Sequence, residues 1–287
     1  MQMLPFLTQL DSRAAIKGSR DPLGVQAIWT RLGRQVVGNL TTVSDSVRDF
    51  TVLLLGYYFA ERVAESSGTE GELATFLKWE QLAAYARARS DPEEGFRGTD
   101  RVRKRLNDGG RVKLGLTNDA QILSNQKIYG LWGLYSVPAR SSGLLENEPR
   151  LTAEARELVA RLCLPRLGLG VGRNAKGIIE LLRQKEPMLD LRDGSRDVAV
   201  LDAVARALNE GTAALRSAYA KHLVAGGEGD QTKGVQSAFA DVLAESARQD
   251  DWQLNPQTLQ SLISQANGDE PGLELSRRLG QIRTCEL

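Results

Sequence analysis

The feature that most constrains this chain is a helical period that recurs along most of its 287 residues. In DPLGVQAIWTRLGRQVVGN, Asp21 is placed to cap and Pro22 to open a helix. Val25, Ile28, Trp29, Leu32, Val36 and Val37 then fall at i, i+3, i+4, i+7 spacing, and Gly38–Asn39 supplies a stop. TTVSDSVRDFTVLLLGYYFAERVAESS puts Val43, Val47, Phe50, Leu54, Tyr57 and Tyr58 on one stripe. Val52, Leu53 and Leu55 widen that stripe, which predicts a helix at the centre of a bundle. GELATFLKWEQLAAYARARS has the pattern of a third amphipathic helix. The fold class is therefore mainly α.

The next stretch changes character. Residues 99–107 predict a short basic helix, Asn107–Gly110 a turn, and RVKLGL the one good strand candidate. Residues 122–135 return to the helical period. In LTAEARELVARLCL, Thr152 is the expected N-cap, Leu158, Val159 and Leu162 share a face, and Pro165 ends the helix. RLGLGVGRN, with Gly168, Gly170 and Gly172, looks like a joint. Beyond it, alanine- and leucine-rich helices separated by short polar breaks predict a C-terminal helical domain.

Several chemistries lack their residues. With one histidine, His222, a site needing two imidazoles is ruled out within one chain. No G-x-S-x-G elbow accompanies His222, and its helical context SAYAKHLVA predicts a structural role. Asp190, Asp193 and Asp197 in DLRDGSRD lack the spacing of a calcium loop and predict a turn, with Ser195 capping the next helix. GLGVGRNAKG has no G-K-[ST] and no preceding strand, so a nucleotide loop is not expected. Cys163 lies on an apolar face, a buried inert thiol, and Cys285 is expected to be exposed. Two thiols make no disulfide framework. The first twenty residues lack a charged leader followed by a long apolar core, and Phe50–Ala60 is too short to span a bilayer. A cytoplasmic protein with no cofactor, no metal and no membrane contact is expected, and not an enzyme.

Net charge is +1, so any polyanion site must be local. Residues 1–140 carry 19 Lys and Arg against 15 Asp and Glu; the remainder carries 18 against 21. The densest cation cluster is FRGTDRVRKRLNDGGRVK. Arg97, Arg101, Arg103, Lys104, Arg105, Arg111 and Lys113 face only Asp100 and Asp108 there, as a phosphate-contacting surface would require. YGLWGLYSVPARSSGLL follows. It predicts a helix from about Asn125 to Tyr135, a turn, and a second helix capped by Ser136, with Pro138 in its first turn. That second helix would present Arg140, Ser141 and Ser142 at its start, where a helix-turn-helix meets the groove. Tyr129, Trp132 and Tyr135 would share a core-facing side.

On these residues the segment 99–163 resembles a winged-helix module. The apolar pair before a charged wing, and Leu151, Thr152, Ala155, Arg156 and Leu158 in an L-T-x-x-[GA]-R-x-L pattern, carry the resemblance. Its wing is short and acidic, with Glu146 and Glu148. Winged helices serve as protein-docking as well as DNA-binding modules, so the resemblance implies either role. The expected organisation is a helical N-terminal region (1–97), a winged-helix-like module (98–167) and a C-terminal helical domain (168–287). The expected function is a non-enzymatic DNA-binding or adaptor subunit of a larger prokaryotic nucleic-acid-processing or defence assembly, with DNA and other proteins as partners. The alternatives are a self-associating scaffold without nucleic acid, and an enzyme using carboxylates and arginines.

Overall fold

A computed structural model describes residues 25–67, 71–148, 150–167, 171–209, 213–227, 229–248, 252–253, 255–266 and 268–286. Asp21, Pro22, Gly168 and Gly170 lie outside the described residues, as does the side chain of Cys285. The fold is mainly α, with two three-residue strands among the described residues.

Two helices form the centre, α2 (Val47–Ser67) and α3 (Glu72–Ser90), preceded by α1 (Val25–Val36). Gly56 lets α2 and α3 approach: a Cβ there would lie 2.6 Å from the Phe76 ring and 2.9 Å from Trp79. Trp79 Nε1 donates to Val52 O at 2.8 Å across the same contact. Helix α3 is not the amphipathic helix its pattern predicts, because every residue from Thr75 to Ala88 is buried. Its charged and amide side chains do not face water; each bonds a neighbour, which offsets the cost of burying them, while the Thr75 hydroxyl is buried without a partner among the described residues. Lys78 donates to Leu182 O and Gln184 O, Gln81 exchanges hydrogen bonds with the Gly115 backbone, and Arg87 pairs with Asp49 at 2.5 Å and Glu94 at 2.7 Å.

Around this pair lie α4 (Thr99–Asp108), β1 (Arg111–Lys113), α5 (Gln126–Tyr129), α6 (Leu131–Ser141) and α7 (Ala153–Leu158). Helix α8 (Val171–Arg183), β2 (Met188–Asp190) and α9 (Arg196–Asn209) follow. β1 pairs antiparallel with β2, Val112 opposite Leu189. Thr152 caps α7 by accepting from Ala155 N, and Ser195 Oγ accepts from Val198 N, both as predicted. Pro165 does not end the α7 segment; the chain continues through a wide turn at Val159–Cys163 and a tight one at Leu164–Leu167.

The hydrophobic core runs without a break from Phe50 to Leu223. The expected boundaries at 97/98 and 167/168 fall inside it, because α3 packs on α9 and β1 on β2. After α10 (Ala213–Tyr219), a second, smaller core holds Val36 of α1 with α11 (Val235–Ser246), α12 (Pro256–Gln265) and α13 (Glu270–Glu286). Helix α1 thus packs with the chain's last helices rather than with α2. No described helix is long and apolar enough to cross a membrane.

Candidate functional site

The cation cluster divides when its side chains are placed. Arg105 is structural: its guanidinium donates to Tyr85 Oη, Ala120 O, Asp119 O and Gln121 O, stapling α4 to the 117–121 turn. Arg103 donates to Glu94 O at 3.1 Å and is half-buried. Lys113 holds Asp119 at 2.7 Å and Glu186 at 3.7 Å. The Asp119 bond raises the Lys113 ammonium above its usual range, and the same bond depresses the Asp119 carboxyl to about 2. Arg111 lies 3.9 Å from Asp190, and Arg101 donates to Gln121 O at 3.0 Å while remaining exposed. Lys104 is exposed with no bonded partner among the described residues, and Arg97 is half-buried beside the Glu80 carboxylate. The exposed stripe of α4 is Asp100, Arg101, Lys104, Asn107 and Asp108, two cations against two carboxylates. Sequence proximity had suggested a more basic face, because it could not show the carbonyls and acids that folding brings to Arg105 and Lys113.

The corner between helices lies at Gly130, not at Ser136. Asn125 caps α5 through Ile128 N, and Glu80 Oε1 accepts from Leu131 N at 2.7 Å, capping α6 from α3. A Cβ on Gly130 would meet Gln126 O at 2.4 Å and the Glu80 carboxylate at 2.7 Å; one on Gly133 would meet Ile128 O at 2.1 Å. Only glycines fit this turn. Ser136 sits inside α6, where its hydroxyl bonds Trp132 O and Tyr57 Oη, and Pro138 is accommodated in the same helix. Arg140, Ser141 and Ser142 consequently close α6 instead of opening a recognition helix. Ser142 is fully buried, bonded to Asn39 Nδ2 at 2.9 Å and Pro138 O at 2.8 Å, so it cannot meet a groove. Ser141 is half-buried and Arg140 alone of the three is exposed.

Moving the corner also moves the aromatics. Tyr135 is buried against Phe50, and Trp132 lies 5.0 Å from Tyr57 and 5.1 Å from Phe76, ring centre to ring centre. Tyr129, on the other side of Gly130, turns outward and is 55% exposed. Ile128 and Val137 are similarly open, at 52% and 55%. Together with Tyr57, Trp132 and Leu134 they line a trough of about 570 Å³, bordered by Lys127, Arg140 and Asn147. Sequence reasoning had named Arg140 but missed Ile128, Val137 and Lys127. An apolar residue at helical spacing reads as core until its neighbours are known.

His222 is buried at the end of α6. Its Nδ1 lies 2.9 Å from Ser142 O and its Nε2 3.4 Å from Glu154, which also holds Lys221 at 2.5 Å. Its contacts are those of a strut between α7 and the turn after α10. Asp190, Asp193 and Asp197 are similarly committed: Asp197 accepts from Asp190 N, and Asp193 pairs with Arg89. Burial pushes the Cys163 thiol up to about 12, which keeps it protonated and unreactive. Among the described residues no cluster of three or more His, Cys, Asp or Glu side chains is placed to hold a metal.

Compared with protein-family models, curated proteins and solved structures, the chain matches none.

Proposed function

We propose that this chain is a non-enzymatic adaptor that docks a partner protein on the face formed by α5 and α6. The observation that carries this reading is the exposed trough of Ile128, Trp132, Leu134 and Val137. Apolar side chains grouped in one concave patch mark an interaction surface, whereas single exposed ones do not. The winged-helix resemblance of residues 99–163 rests on their residue pattern alone: β1 pairs with β2 outside that segment, and Arg140 and Ser141 end α6 rather than open a helix. The test is isolation of the chain from the cells that make it, as wild type and as an Ile128→Glu, Val137→Glu double variant. The wild type is expected to retain a specific partner that the variant loses. Equal recovery by both contradicts the reading.

A second reading, DNA contact, is supported by Arg101 and Lys104 on the open side of α4 and by the exposed Arg111 of β1. Each phosphate neutralised on duplex DNA lowers the slope of log K against log salt by about 0.9. Three engaged cations give a slope of about −3, and Arg101→Glu with Lys104→Glu should abolish binding. A slope near zero, or binding unchanged in that variant, removes this reading.

A further inference from the structure

The charged side chains lining the α5–α6 trough are of one sign. Lys127 and Arg140 border it, both are exposed, and neither has a bonded partner among the described residues. Among the described residues no acidic side chain lines it. Arg89, Lys113, Arg156, Lys221 and Arg277 by comparison each hold a carboxylate of the same chain, whereas Lys104, which lines no such trough, holds none among the described residues. A cation beside an apolar trough, with no internal counter-ion, is free to be matched from outside.

From this we infer that the occupant of the trough is a peptide segment of another protein, with bulky apolar anchors flanked by aspartates or glutamates. The inference rests on the docking reading above and adds the partner's chemistry. Space agrees with it. A cavity of roughly 150 Å³ holds a benzene, so a trough of about 570 Å³ admits more than one apolar anchor. Length agrees too: from Trp132 to Arg140 along α6 is about 12 Å at 1.5 Å per residue, so an anchor at Trp132 and a carboxylate at Arg140 fit two or three turns of a helical peptide.

Nucleic acid fits the same trough less well. Base stacking needs an open aromatic face, and Trp132 packs its ring against Tyr57 and Phe76. Tyr129, the exposed ring, is not among the residues lining the trough. Two cations are also few for a phosphate backbone.

The test is selection from a random 16-residue peptide display library on the intact wild-type chain, with depletion on Val137→Glu. Val137 is more than half exposed, so that variant is expected to fold, which circular dichroism checks; Ile128→Glu is the second variant. The expected consensus combines bulky apolar residues with Asp or Glu on either side. Synthetic peptides of that consensus should lose binding to Val137→Glu. They should bind Lys127→Glu, Arg140→Glu about tenfold more weakly, and weaken with added salt. An apolar consensus without acids, still sensitive to Val137→Glu, overturns the inference and leaves the docking reading intact. No peptide sensitive to Val137→Glu or Ile128→Glu overturns both. A dimer of the chain that Val137→Glu dissociates in sedimentation also overturns the inference, the occupant then being a second copy. Duplex DNA competing for the same peptides does so as well.

Discussion

At the scale of single residues, Glu80 carries the most consequence. It is buried, and desolvation pushes its carboxyl up to about 7 against an ordinary 4.5, while hydrogen bonds from Leu131 N and Gln126 pull the other way. Between those values the folded protein holds a proton that the unfolded chain has released. The stabilisation is therefore complete below about pH 4.5 and is lost as pH rises through about 7. At 1.36 kcal/mol per pH unit the window spans about 3 kcal/mol. The urea midpoint of the wild type is expected to fall between pH 5 and pH 8, and that slope should flatten in Glu80→Gln. Equal slopes would place the carboxyl outside this window. Asp119 and Glu274, held near 2 by Lys113 and by Arg277, titrate below it and do not mask the effect. Nothing local in the sequence singles out Glu80. Its partners lie on α5 and α6, about fifty positions away, and only folding brings them to it.

At the scale of elements, the Gly130 corner decides what α6 can present. Helix starts and stops were largely legible: Thr152, Ser195 and the basic helix at 99–107 lie where capping and periodicity place them. The Ser136–Pro138 turn was not, because serine two residues before proline is also a helix-opening signature. Here the serine hydroxyl bonds back to Trp132 O, and glycines six and three residues earlier, at 130 and 133, make the bend instead. Strand β2 was illegible for a different reason. Three residues are too few for alternation to register, and its pairing with β1 is purely tertiary. The corner makes a paired prediction. Gly133→Ala, with Ile128 O in the way, should cost roughly 1–3 kcal/mol in urea melts. Gly33→Ala, in α1 with nothing within 4 Å, should instead stabilise by about 0.4–1 kcal/mol. Both substitutions having the same sign would contradict the geometry. Ser142→Ala belongs with the first group: losing its bonds to Asn39 and Pro138 should lower stability by about 1 kcal/mol without touching the docking trough.

At the scale of the whole molecule, the chain folds back so that α1 joins α11, α12 and α13 around Val36, Leu262 and Leu275. The remaining helices except α5 share the larger core. Sequence order suggested three consecutive modules, since periodicity identifies helices but not their neighbours. Native-state hydrogen exchange should show α1 amides opening together with those of α13 and not with α2. Leu262→Ala, at a fully buried position, should cost about 2–5 kcal/mol and accelerate exchange in α1 and α13 first. Uniform acceleration across α2 and α3 would indicate a single cooperative unit. On this architecture the trough belongs to the larger core. Its lining residues Trp132 and Tyr57 are packed on each other and on the buried Phe76.

The central claim, that the α5–α6 face holds a protein partner, is tested most directly by a photo-reactive amino acid placed at Val137 and, separately, at Lys104 in the cells that make the chain. Irradiation is predicted to give a discrete protein adduct from position 137 that Ile128→Glu removes. Adducts arising only from position 104, or the same diffuse products from both, would contradict it.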